Sequence, residues 1–62
     1  MVQFNGGNHY VSSTATKSGG SPSAGPAKIT IINKGSAHPY HLVTEDWGKT
    51  HVWGWVDEGY FS

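Results

Sequence analysis

Residues Thr50–Val56 alternate small apolar positions with large aromatic ones: Val52, Gly54 and Val56 on one side, Trp53 and Trp55 on the other. A period of two sends successive side chains to opposite faces of a strand, so the segment predicts a half-buried strand with two indoles on its outer face. It stops at Asp57-Glu58-Gly59, and Tyr60-Phe61 follow. Ala27–Asn33 is the clearest strand, β-branched and alternating, with Ala27, Ile29 and Ile31 toward the core. Ile32 breaks that alternation and predicts a bulge or a second contact surface. Tyr40–Glu45 reads as a strand, joined to the Trp pair through an Asp46-Trp47-Gly48-Lys49 hairpin in which Gly48 is free to take a positive φ. Pro39 keeps His38 out of a helix and marks a strand edge.

Upstream, Val2-Gln3-Phe4 makes a short strand closed by the turn residues Asn5-Gly6-Gly7-Asn8, and His9–Ser13 can begin another. Thr14–Pro26 has the composition of a flexible linker, with Ser18-Gly19-Gly20-Ser21-Pro22-Ser23 at its centre. Its place between two strand-like segments of a very small domain favours a functional or barrel-crossing loop. Cutting there would leave neither side a core. The whole pattern predicts an all-β fold: a small antiparallel barrel of about five to six short strands with one long Gly/Ser/Pro loop, as a single domain over 1–62.

Size sharpens the picture. A chain of 62 residues buries only about 60% of its unfolded surface. With no Cys, neither disulfides nor thiolate metal sites can reinforce it. The eight aromatics must carry much of the core, and Phe4, Val56 and Phe61 are assigned to it. Net charge is zero, with four Lys, no Arg and four acidic residues. A nucleic-acid binder needs a basic footprint that is missing here. No run approaches the ~18 apolar residues of a membrane span, and the opening residues do not form a signal peptide.

The candidate chemistry is aromatic. Trp53 and Trp55 are either a stacking platform for a sugar ring or cross-bridge peptide, or caps on an open end of the barrel. Trp47, at a hairpin tip, either folds back or stands out as an anchor. Tyr10, Tyr40 and His38 are further candidates for a groove formed by the Thr14–Pro26 loop, the Lys34–Pro39 loop and the Tyr60 turn. The four His residues do not suggest a metal site. His38 and His41 would face opposite ways on an extended strand, and zinc wants three or four convergent ligands. No cofactor is expected. Catalysis has no signature either: no Ser is placed against an oriented His, and the Glu45/Asp46 and Asp57/Glu58 pairs diverge.

Several short motifs occur in a fixed order: Val2-Gln3-Phe4, His9-Tyr10-Val11-Ser12-Ser13, Gly25-Pro26-Ala27-Lys28, His38-Pro39-Tyr40-His41-Leu42 and Gly54-Trp55-Val56-Asp57. In this combination the chain resembles the bacterial SH3-like (SH3b) domains found at the C-terminus of phage endolysins and N-acetylmuramoyl-L-alanine amidases. The resemblance implies a non-catalytic module that binds peptidoglycan, through stem peptide, cross-bridge peptide or glycan, and targets a covalently linked hydrolase to the wall. It implies action at the bacterial cell wall after secretion or phage lysis, a start at Met1 that falls within a larger lysin, and a groove-lining role for Tyr60. The Leu-Asn-Val-Arg type of opening strand common in that family is replaced by His9–Ser13, so its usual contacts do not transfer. The other reading is a protein-interaction module that docks an extended or proline-rich peptide in an aromatic groove. The absence of Asp and Glu from Thr14–Pro26 counts against it.

Overall fold

The computed structural model describes all 62 residues, Met1–Ser62. It is all-β: strands β1 (Val2–Phe4), β2 (Gly25–Ile32), β3 (Tyr40–Thr44) and β4 (Trp53–Val56) form one antiparallel sheet in the order β1-β2-β3-β4. Val2 lies opposite Ala27, Leu42 opposite Ile29, and Val43 opposite Trp53. The alternation read from the sequence is realised most fully in β4, where Gly54 and Val56 are buried while Trp53 is exposed. One sheet face thus carries the core, made of Phe4, Ala27, Leu42, Val52 and Val56, with Val2, Ile29, Tyr40, Tyr60 and Phe61 packed around it.

Four expectations need correction. Ile31 is not a core residue but half-exposed, because the β2–β3 register shifts between Ile29 and Ile31. The extra residue of a bulge reverses which face the following side chains occupy, so Ile31 stands beside His41 on the outer face. Gly48 takes no positive φ. The turn closes instead through the Asp46 Oδ1 acceptor for the Gly48 N–H, 3.0 Å, and the Asp46 carbonyl acceptor for Lys49 and Thr50. Third, β2 begins at Gly25, so Pro26 belongs to the strand, opposite Gln3. His9–Ser13 forms no strand of its own; His9 and Tyr10 make single bridges to Gly20 and Trp55.

Both edges of the sheet are occupied. Gln3 and Ser62 exchange backbone hydrogen bonds of 2.9 Å along β1, and the Asn5 N–H donates to the Tyr60 carbonyl. At the other edge Tyr10 and Trp55 exchange a pair of 2.8 Å bonds along β4. Covering an edge satisfies backbone groups that would otherwise recruit another strand. The loop between β1 and β2 is folded on itself rather than extended. Its Gly7 and His9 N–H groups donate to the Pro22 and Gly20 carbonyls, and the Gly19 N–H donates to the His9 carbonyl. The β3–β4 hairpin is held by two buried threonines: the Thr44 hydroxyl donates to the Thr50 carbonyl, and Thr50 Oγ1 accepts the Val52 N–H.

Gly54 makes the Tyr10 pairing possible, since a Cβ there would lie 2.5 Å from the Tyr10 carbonyl oxygen. Gly54→Ala should therefore cost about 1–3 kcal/mol. In thermal denaturation that is a fall in melting temperature of at least ~4 °C. An unchanged melting temperature would show that Tyr10 is not seated on β4.

Candidate functional site

The predicted site residues divide among three places. The first is internal. His38, only 7% exposed, sits where the loop after β2 meets the turn after β4. Its Nδ1 contacts Asp57 Oδ1 at very short range, and its Nε2 lies 2.7 Å from the Ala15 carbonyl. With Asp57 ionised, both partners can only accept, an arrangement that favours the doubly protonated ring. Tyr10 stacks flat on it, centroids 3.5 Å apart and planes 8° apart. The His38 N–H also donates to the Ser13 carbonyl. Tyr10 and His38 are therefore a fastening between the long loop and the sheet, not the walls of an open groove. Nε2 faces the Ala15 carbonyl rather than a hydroxyl.

The second place is a cavity of about 300 Å³ lined by Lys34, Gly35, Ser36, Pro39, Tyr40 and Glu58. Gly35, at φ +92°, gives the loop after β2 its turn. Tyr40 stands at the start of β3 with its ring edge-on to Phe61, 5.0 Å between centroids. The Lys34 ammonium and Glu58 carboxylate pair with no other side chain, so one free cation and one free anion border the cavity. Tyr60 does not line it. Its ring packs on Gly7, where a Cβ would come within 2.5 Å of it. Tyr60 thus supports the fold beside the core, and the long loop contributes no wall.

The third place is the outer face of the sheet. Trp47 and Trp53 stack with centroids 5.7 Å apart and planes 18° apart, and each is more than half exposed. His51 tilts against Trp47 at 5.6 Å. Trp55 is half-buried and meets His41 edge-on at 5.3 Å, while Thr30 Oγ1 lies 2.6 Å from His41 Nδ1. Of the two alternatives for Trp47, the exposed one holds, although the ring is stacked and not free.

Lys34, Ser36, Glu58, Asp57, His41 and His51 also belong to these places. Asp57 and Glu58 were legible as a turn after a strand, but no periodicity links a turn to a loop nineteen residues earlier. No three His, Asp or Glu side chains converge on a point that could hold a metal ion. Comparison with protein-family models, with curated proteins and with solved structures finds no match to this chain.

His38 and His41 titrate in opposite senses. Burial pushes His38 down, but the Asp57 hydrogen bond, the Ala15 carbonyl and the Asp57 charge together outweigh it, and its pKa lies above the ordinary 6.5. That contribution to stability is complete below about pH 6.5 and is lost as pH rises through the raised value. Burial alone pushes His41 down, so its contribution is complete above pH 6.5 and is lost as pH falls through the lowered value. Melting temperature should therefore fall on raising the pH above 6.5, and Asp57→Asn should remove most of that fall. An Asp57→Asn protein with the wild-type pH profile would show that His38 is neutral in the fold.

Proposed function

We propose that this chain is a non-catalytic cell-wall binding module of the SH3-like (SH3b) kind, which holds a covalently linked peptidoglycan hydrolase against the bacterial wall. The observation that carries the reading is the cavity between the loop after β2 and the turn after β4. It offers a free Lys34 ammonium and a free Glu58 carboxylate beside the Tyr40 ring and the Pro39 ring. Such a site suits a short peptide that carries both signs of charge, as wall stem and cross-bridge peptides do. Tyr and Pro walls cover its aliphatic portions with little loss of rotamer freedom.

The fold reading is supported by the edge pairing. Ser62 on β1 and Tyr10 on β4 continue the four-stranded sheet past both of its edges, the direction in which a sheet curls toward a small barrel with Tyr60–Ser62 as a fifth strand. The paired edges also count against a partner that binds by adding a strand.

The mechanism is one of concentration. A module that holds its polymer weakly keeps the tethered catalytic domain among its substrate bonds at millimolar effective concentration, without touching the chemistry. A cavity of this size buries little area, so micromolar or weaker affinity suffices.

Sedimentation with purified bacterial sacculi tests the reading. Lys34→Ala and Glu58→Ala change exposed side chains and should leave the melting temperature unchanged. Each should weaken sacculus binding by about 1 kcal/mol or more, the scale of a lost charge-assisted hydrogen bond. Wild-type protein that stays in the supernatant would end the wall-binding reading. Full binding by both variants would remove the cavity from it.

A further inference from the structure

The register of β2–β4 sets two rows of side chains across the outer face of the sheet. Lys28, Val43 and Trp53 form one row, and Ile31, His41 and Trp55 the next. An antiparallel sheet with its other face on the core ordinarily turns polar residues to solvent. Here the only charged residue in the two rows is Lys28. Trp47 reaches over from the hairpin turn and enlarges the surface by stacking on Trp53, leaving two nearly parallel indoles 55% and 56% exposed. Ile31 is 51% exposed at the other end. An apolar surface of this kind on a domain of 62 residues marks an interaction site.

The chemistry around the patch narrows its occupant. An added β-strand finds no free edge beside it, because β4 is paired with Tyr10. An amphipathic helix needs a groove, and the molecule's one cavity lies elsewhere, at the Lys34–Tyr40 loop. A single-stranded nucleic acid would stack its bases, but its phosphates need a cationic track, and one lysine does not supply it. A neutral polymer with flat apolar faces and hydroxyl edges fits each of these conditions. Pyranose rings present a face of axial C–H groups that lies on an indole, and their equatorial hydroxyls hydrogen-bond to imidazole and indole nitrogens at its border. His51 stands beside Trp47 at that border, and His41 lies between Ile31 and Trp55 in the second row.

We infer that the Trp47–Trp53 face is a second binding surface, distinct from the charged cavity, and that it takes the sugar backbone of a neutral glycan strand. The inference rests on the wall-binding reading for its polymer, a β-linked chain of N-acetylated hexosamines. The module would then hold two chemically different parts of one wall: peptide at the cavity and glycan on the sheet face. Two weak contacts on one polymer multiply through effective concentration.

The probe is peptide-free tetra-N-acetylchitotetraose, titrated into the full chain while the indole N–H resonances and the tryptophan fluorescence are followed. A free stem tetrapeptide is titrated in parallel. The sugar should shift the Trp47 and Trp53 indole signals. Trp53→Ala should weaken that binding about tenfold, as loss of an aromatic anchor does, with little change in melting temperature, and Trp53→Phe should retain most of it. The inference is overturned if the sugar leaves both indoles unmoved, or if the tetrapeptide moves them and the sugar does not. It is equally overturned if sedimentation shows a dimer that Trp53→Ala dissolves, since a second copy would then cover the face. Sacculus binding with a silent sugar titration removes this inference and leaves the wall-binding reading standing. Sugar binding without sacculus binding removes the wall-binding reading and leaves the glycan surface.

Discussion

The long connection between β1 and β2 is fastened to the rest of the molecule by one buried ring. His38 donates from both nitrogens, to Asp57 and to the Ala15 carbonyl, and lies flat under Tyr10. Those contacts join three segments that are far apart in sequence: the loop after β1, the loop after β2 and the turn after β4. A core of only five fully buried apolar side chains cannot order a twenty-residue connection by burial alone, since each ordered residue costs roughly 1–2 kcal/mol of backbone entropy. A polar fastening with all its donors matched does it instead, and no buried side-chain nitrogen or oxygen lacks a partner. The ring is well placed for this because an imidazolium has two donors at a fixed angle.

That fastening has consequences at a distance. Seating Tyr10 against His38 also aligns it with the open edge of β4, and Gly54 removes the side chain that would hold the two backbones apart. His9, one residue earlier, accepts the Trp53 N–H through Nδ1. The long loop therefore runs beside β4 and closes its edge, while the C-terminal residues close the edge of β1. With both edges taken, the surfaces that remain are built from side chains: the Lys34–Glu58 cavity and the tryptophan face.

The two surfaces differ in physical character, and that difference carries their proposed roles. The cavity has fixed charges of both signs and two rings, a combination that discriminates by charge position. The sheet face has exposed indoles and almost no charge, a combination that favours flat neutral partners. Lys34, Glu58, Trp47 and Trp53 are exposed, so substitution at these four positions spares the core.

Much of the scaffold was legible in the sequence. Period-two alternation in Val52–Val56 decides which residues face inward, because a strand offers only two faces. The turn residues at Asn5–Asn8 and Lys34–Ala37 mark where strands end, and the absence of any helical period makes the chain all-β. The break in alternation pointed to Ile32, whereas the register shifts earlier, between Ile29 and Ile31, since where a bulge falls and which face follows it depend on the partner strand's register. The site was legible only as a list of aromatic candidates. Composition could not separate Tyr10 and His38, which became a buried fastening, from Trp47 and Trp53, which became a surface, because the difference lies in what packs against each ring. The cavity charges at Lys34 and Glu58, and the Asp57 carboxylate that fixes His38, are brought together across twenty or so residues of chain. Local sequence sets backbone conformation and face; only tertiary pairing sets which distant polar groups meet, because that choice is made by strand register and loop closure rather than by any residue's own preference.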